Sequence, residues 1–282
     1  MVGNITVGGT GKTPVVIALA RFLKEKGWRP GIVSRGYGGK IKHFPYQVHQ
    51  NSNAREVGDE PLLIVRHTDC PTVIDPNRSR GVRALLKRAH CNLVISDDGL
   101  QHSSLGRNIE IIVVDGERRF GNNFCLPAGP LREPTSRLNS VDFVISKENP
   151  LRHEFKLSLI PDHFYQLIQP KIKKTLDYFH GKTLHAVAGI GNPDQFFNSL
   201  RKLNLKIIEH PFPDHYLFKP HDFSYGSDAI IIMTEKDAVK CVGFVDARLW
   251  CLNTKTELDT NLLNTVLKRV TTLNNNLKSS SG

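Results

Sequence analysis

Six residues near the start of the chain, Gly8-Gly9-Thr10-Gly11-Lys12-Thr13, run directly into an apolar pattern in which Val15, Val16, Leu19, Phe22 and Leu23 recur at three- and four-residue spacing. Pro14 stands in the first turn and Gly27 just past the last, so a helix is expected from about Pro14 to Lys26. A glycine-rich turn that feeds a helix start gathers free backbone N–H groups and the positive helix end around one anion. In such a P-loop the glycines let the backbone approach phosphate oxygens, Lys12 reaches the β- and γ-phosphates of a nucleotide, and the Thr13 hydroxyl meets magnesium. The strict pattern has glycine where Thr6 stands, but the GGxGKT core is intact. A plain helix-capping turn is the bland alternative, and the lysine and the amphipathic helix argue against it.

The rest of the chain alternates short apolar runs with helical patterns, the mark of parallel βαβ units and hence of an α/β fold. Gly31 to Ser34 and Thr72 to Ile74 read as strands, Leu62 to Arg66 and Gly81 to Ala89 as helices. Leu93 to Ile95, Ile109 to Val114 and Phe143 to Ile145 are nearly continuous apolar runs, as strands buried on both faces require. These predict a P-loop NTPase-like parallel sheet sandwich over residues 1–150. Between 151 and 182 the periodicity weakens among Pro150, Pro161 and Pro170 and the basic Lys171, Lys173 and Lys174, which predicts a linker. A second, smaller α/β domain is expected over 183–282, with strands at Leu184 to Ala188, Ile207-Ile208, Ile230 to Ile232 and Leu249 to Leu252. A closing helix is expected from about Asp259 to Leu273, followed by a frayed tail from Asn274 to Gly282.

The paired carboxylates of Asp97-Asp98-Gly99 end the Leu93 to Ile95 run. Hard oxygen ligands at the carboxyl end of a strand suit a magnesium ion bridging ATP phosphates. Asp-Asp-Gly is equally a turn sequence, and the P-loop upstream is what favours the metal reading. A formal charge of +11 calls for an anionic partner, whether nucleotide, nucleic acid or membrane surface. The five cysteines are odd in number and form no CxxC pair, which fits reduced thiols, and no apolar run approaches the length of a membrane-spanning helix.

Several strings together resemble one family, the tetraacyldisaccharide 4′-kinases, lipid A 4′-kinases of Gram-negative bacteria. They are Asn4 to Pro14, Ser34-Arg35-Gly36-Tyr37-Gly38, Gly58-Asp59-Glu60-Pro61, Asp97 to His102, Pro127 to Pro134 and Thr234-Glu235-Lys236-Asp237, in order along nearly the whole chain. The resemblance implies ATP-dependent phosphorylation of the 4′-hydroxyl of a tetraacylated glucosamine disaccharide 1-phosphate, giving lipid IVA at the cytoplasmic face of the inner membrane. It implies two α/β/α domains with the active site between them, and peripheral association with an anionic membrane surface. It also implies an N-terminal membrane helix and a strand leading into the P-loop. Here only Met1 and Val2 precede Gly3, so the expectation is a chain lacking that helix, with apolar flanks of Val33 and of Leu93 to Ile95 left open.

By the same resemblance Asp59 matches the catalytic base and His215 the histidine that assists it, with Lys12 on the transferred phosphate. Local sequence alone reads Asp59 as a helix N-cap, because it precedes a proline-led helix. Arg132 and Glu133 follow a glycine- and proline-rich loop, where a guanidinium suits phosphoryl oxygens and a carboxylate suits magnesium; a surface ion pair is the alternative. Arg35 and Tyr37 follow the second strand at the carboxyl end of the sheet, where α/β proteins bind ligands, and are assigned to the acceptor. Lys236 and Asp237 are weaker candidates for a nucleotide-base contact. The rival function is a membrane- or partner-regulated switch of the partition ATPase kind, which needs no acceptor pocket. A nucleic-acid binder is disfavoured because the basic residues are scattered and no recognised module is present.

Overall fold

The computed structural model describes residues 1–279 of the 282. The chain divides into two compact units, each discontinuous in sequence: Met1–Arg35, Cys70–Ser158 and the chain from Thr256 onward form the first, and Gly36–Asp69 with Leu159–Lys255 the second. This differs from the contiguous division at 151–182 drawn from the sequence. Residues 36–69, which carry Tyr37 and Asp59, belong with the later part of the chain, and the closing helix belongs with the P-loop.

In the first unit the P-loop helix spans Lys12–Glu25 and buries Val15, Val16, Ile17, Leu19, Ala20 and Leu23. Two parallel ladders lie in this unit. Pro30–Ser34 pairs on one side with Thr72–Ile74 and on the other with Leu93–Ser96. Val2–Gly3 pairs with Ile111–Asp115, and that strand pairs with Phe143–Lys147. Every residue of Ile111–Asp115 is buried, as a central parallel strand requires. Fully burying side chains such as Ile112, Val113 and Ile145 is worth roughly 1.5–3 kcal/mol apiece. Val33, expected to be open on one flank, is fully buried between its two neighbouring strands. The Leu93 to Ile95 strand, also expected to be open, has Leu93 and Val94 half-buried and borders an apolar cleft of about 390 Å³ together with Ile109, Leu19, Trp28 and Val266.

The closing helix, Thr260–Ser279, runs beyond the expected end at Leu273. Leu262, Val266 and Val270 are buried at four-residue spacing, and the helix packs on the P-loop helix. That docking nucleates it, and propagation through the asparagine-rich end costs little per residue. Ser280 to Gly282, the rest of the expected tail, lie outside the described residues.

The second unit has parallel strands Lys206–Pro211, Thr183–Ala188, Ile230–Thr234 and Leu249–Leu258 in that spatial order. Phe164, Phe179, Phe197 and Trp250 fill one face of the sheet and Phe218, Phe223, Met233 and Cys251 the other. The expected linker is not one, because Phe155–Gln166 forms a twelve-residue strand that pairs with Lys173–Lys174. Its burial is interrupted by half-exposed positions such as Asp162 and His163, with only Leu157 and Phe164 fully buried. An apolar-run criterion passes over such a strand. Among the described residues no helix is long and apolar enough to cross a membrane, and all five cysteines are free thiols.

Candidate active site

The chemistry-bearing residues fall into two constellations, one in each unit. In the first unit the P-loop turns on two glycines with positive φ, Gly8 at 90° and Gly11 at 95°, a conformation that favours glycine. The loop is braced from Pro127-Ala128-Gly129-Pro130-Leu131-Arg132: the Val7 N–H donates to the Pro130 carbonyl at 2.9 Å, and the Arg132 N–H donates to the Ile5 carbonyl at 2.7 Å. A Cβ on Gly11 would stand 3.1 Å from Leu157 Cδ2 and 3.6 Å from Lys147 Cδ, so the loop rests directly on side chains. The backbone amide cradle of Gly8, Gly9, Thr10, Gly11, Lys12 and Thr13 is thus anchored to its surroundings at Ile5, Val7 and Gly11, and Thr13 sits half-buried in the first helical turn.

Lys12 Nζ lies 3.5 Å from Asp98 Oδ1, and Arg132 Nη1 lies 3.1 Å from the same oxygen. Burial works to raise the Asp98 carboxyl, but the charges of Lys12 and Arg132 outweigh it and hold the group below the usual carboxylate range. Asp98 takes a left-handed backbone, φ 48°. Asp97 is fully buried and accepts a hydrogen bond from the Ser34 hydroxyl at 3.1 Å. Behind both sits Arg78, fully buried, which donates to the carbonyls of Asp75 (2.8 Å), Asp97 (3.4 Å) and Asp98 (3.4 Å). Sequence reasoning missed Arg78; the signal lay in the Asn77 cap, whose side chain accepts from the Arg80 N–H and starts the helix Arg78–Arg88. Glu133 accepts from Gln101 Nε2 at 2.7 Å and pairs with Arg137 at 3.2 Å, and Gln101 Oε1 in turn accepts from Arg132, the residue on Asp98. Arg35 is exposed at the end of its strand.

These hydroxyl and carboxylate oxygens are of the hard type magnesium prefers, and they fit it as a donor set. Among the described residues no three His, Cys, Asp or Glu side chains converge into a ready-made metal cage. Magnesium usually takes one or two protein carboxylates and completes its shell from water and phosphate, so the fit needs no cage.

In the second unit Asp59 begins the helix Asp59–Thr68, preceded by Gly58 at φ 91°. A Cβ on Gly58 would fall 2.6 Å from the Tyr37 carbonyl oxygen, so only glycine lets these two segments approach. Asp59 is 4% exposed, and its two oxygens have different partners. Gly58, not Asp59, is the N-cap, so the cap that local sequence suggests for Asp59 is not formed: Asp59 is the first helical residue, its Oδ1 accepts from the Glu60 N–H at 2.9 Å, and Oδ2 lies 3.1 Å from His215 Nδ1. His215 is itself held at φ 59°, and Tyr37 meets its ring edge-on with centroids 5.1 Å apart. Burial would raise the Asp59 carboxyl; the His215 hydrogen bond and the Lys236 charge reverse this and lower it.

Lys236, a weak candidate for a nucleotide-base contact in the sequence, stands between two carboxylates. Its Nζ lies 3.1 Å from Glu60 Oε1 and 3.5 Å from Asp214 Oδ1. Asp237 is buried beneath it, accepting from the Thr234 hydroxyl at 2.7 Å and the Gly189 N–H at 3.1 Å, and pairing with Lys240 at 2.7 Å. Thr234-Glu235-Lys236-Asp237 is thus a short helical turn capped by the Thr234 side chain and anchored by a buried aspartate.

Comparison with known proteins follows the same residues. A family model described as tetraacyldisaccharide-1-P 4′-kinase matches residues 1–272. A tetraacyldisaccharide 4′-kinase of Nitrosococcus oceani is 51% identical over 251 residues, covering 89% of this chain and 74% of the relative. One from Methylobacillus flagellatus is 48% identical over 275 residues, covering 97% and 82%. Among solved structures, the "apo" form LpxK from Aquifex aeolicus in complex with ATP superposes with a TM-score of 0.77 at 28% identity, covering 95% of this chain and 87% of that one. The partition-type switch finds no support among these matches.

Proposed function

The chain belongs to the tetraacyldisaccharide-1-phosphate 4′-kinase family, and from that premise we propose how its residues divide the work of moving the γ-phosphoryl group of ATP to the 4′-hydroxyl of a tetraacylated disaccharide 1-phosphate. In-line phosphoryl transfer asks for cations and amide donors on the phosphates and a base at the attacking oxygen, with little covalent chemistry. The first unit carries the former and the second unit the latter.

At the nucleotide, the amides of Gly8 to Thr13 wrap the phosphates. Lys12, now against Asp98, is the cation for the β- and γ-oxygens, and Arg132 adds a second positive group on the same carboxylate. Thr13, Asp97, Asp98 and Glu133 would hold magnesium. Bound there, the ion would neutralise charge developing on the phosphates. At the acceptor, Asp59 takes the proton of the 4′-hydroxyl while His215 orients the carboxylate through Oδ2, and Tyr37, packed on His215, faces the sugar. Arg35 is assigned to the acceptor's charged groups.

One observation carries this reading: a buried, ionised carboxylate, Asp59, hydrogen-bonded to a histidine in a strained backbone conformation, in a chain with the family's P-loop. Strained residues of this kind persist where surrounding structure holds them, and they cluster at active sites. The acyl chains of the substrate and the +11 charge favour peripheral attachment to the anionic cytoplasmic face of the inner membrane and give no role to nucleic acid. The test is transfer of radiolabelled γ-phosphate from ATP to the tetraacylated acceptor, with flotation on anionic vesicles measured alongside. Label in the acceptor that disappears with Asp59→Ala is the expected result; ATP hydrolysis with no acceptor labelling would overturn the assignment.

A further inference from the structure

A buried carboxylate that must act as a base near neutral pH has to be kept ionised against desolvation, and its free lone pair has to be aimed. His215, when neutral, supplies one N–H and no charge. Lys240 is committed to Asp237 at 2.7 Å, with both side chains almost fully buried. Among the described residues, the other cation that acts on Asp59 is Lys236. Its ammonium sits between two carboxylates, and each belongs to the chain neighbour of one member of the Asp59–His215 pair. Glu60 follows Asp59 and gives its N–H to Asp59 Oδ1 at 2.9 Å; Asp214 precedes His215 and accepts the His215 N–H at 3.0 Å. With Nζ 3.1 Å from Glu60 and 3.5 Å from Asp214, a single side chain ties the helix start that carries Asp59 to the loop that carries His215.

We propose that Lys236 is a positioning residue for phosphoryl transfer: it keeps Asp59 ionised and holds Asp59 and His215 in register by bridging Glu60 and Asp214. The inference rests on the reading of Asp59 as the base. It replaces the nucleotide-base role that the sequence suggested for this lysine. The groups acting on Lys236 agree with it from each element: Asp59 and Glu60 from the helix start and Asp214 from the His215 loop, while the charged Asp237 and Lys240 that follow in its own segment are paired with each other. Burial works to deprotonate Lys236, but Glu60, Asp59 and Asp214 together raise its pKa, so it stays charged across the working pH range.

The experiment is a pH profile of kcat/KM for the acceptor, with KM for ATP and a thermal melt, on full-chain Lys236→Met and Lys236→Arg. Removing the cation raises the Asp59 pKa, so the acidic limb of the Lys236→Met profile is expected to move up by about one pH unit, within the range an adjacent opposite charge gives. At neutral pH kcat should fall about tenfold while KM for ATP is unchanged, as for a group that acts at the acceptor and not on nucleotide. Lys236→Arg should restore the limb. A Lys236→Met limb that coincides with wild type, in an enzyme that Asp59→Ala inactivates, overturns the role of Lys236 and leaves the base standing. A uniform loss at all pH values with a lowered melt and no rescue by arginine also overturns it, as a merely structural ion pair. If Asp59→Ala keeps its turnover, the failure lies with the base.

Discussion

Asp59 Oδ2 and His215 Nδ1 lie 3.1 Å apart although 156 positions separate them in the chain. The contact leaves Oδ1 on the helix start, so one carboxylate serves the backbone with one oxygen and a titratable ring with the other.

That split separates two substitutions. Asp59→Asn keeps an oxygen for the Glu60 N–H and removes the base, so it should melt near wild type while kcat falls by roughly 10²–10⁴, the range of general-base contributions. KM for ATP should not move. His215→Ala should be milder, because the carboxylate remains. Equal losses of kcat and of melting temperature in Asp59→Asn would mean that the residue is structural.

Lys12→Ala should abolish turnover in a protein that still folds, because it removes a cation aimed at charge that grows in the transition state, a loss of roughly 3–4 kcal/mol. Asp98 keeps Arg132 at 3.1 Å, so the turn is not left with an uncompensated carboxylate. The check is kcat together with a thermal melt; turnover near wild type would remove Lys12 from the chemistry.

Gly58→Ala should cost at least about 1 kcal/mol, since it places a Cβ 2.6 Å from the Tyr37 oxygen at a φ of 91°. Because the segments that must give way carry Tyr37 and Asp59, kcat should fall with stability. A denaturant titration and the acceptor-labelling assay together read both effects.

Acid should weaken the fold in two windows. Burial lowers the pKa of both His185 and His210, whose rings share a 2.9 Å contact and stack on Tyr225. With folded values below the ordinary 6.5 of a histidine, the unfolded chain binds more protons as pH drops past 6.5, and stability falls there. Asp59 and Asp98 have folded values below 3.8, so their contribution is present above that pH and is lost as pH falls through the folded values. Melting temperature should therefore step down below about pH 6.5, and His210→Gln should flatten that first step.

What could be read in advance depended on how local the signal was. The P-loop is a contiguous string, and its glycines, lysine and amphipathic helix each argue for the same anion site. The parallel strands Ile111–Asp115 and Phe143–Lys147 were legible because burial on both faces leaves an unbroken apolar run. Arg78 was not, since a buried arginine on a helix reading Arg-Ser-Arg looks like a solvated face until the carbonyls of Asp97 and Asp98 are seen around it. Phe155–Gln166 was passed over because its charged positions dilute the alternation. The partners of Lys236 come from three separate stretches of chain, and no spacing rule connects them. For Asp59 and His215 the resemblance supplied what local pattern did not, since local pattern favoured a helix cap.

The discontinuity of the first unit sets an order on its biosynthesis. The P-loop leaves the ribosome well before the helix Thr260–Ser279 that packs on the P-loop helix. At about 5–20 residues per second, the sites that will receive Leu262, Val266 and Val270 wait roughly 10–50 s for their partners. The unit that carries the P-loop thus completes its core only once the Thr260–Ser279 helix is made, and a nascent chain stalled before Thr260 carries the glycine-rich string on an unfinished core.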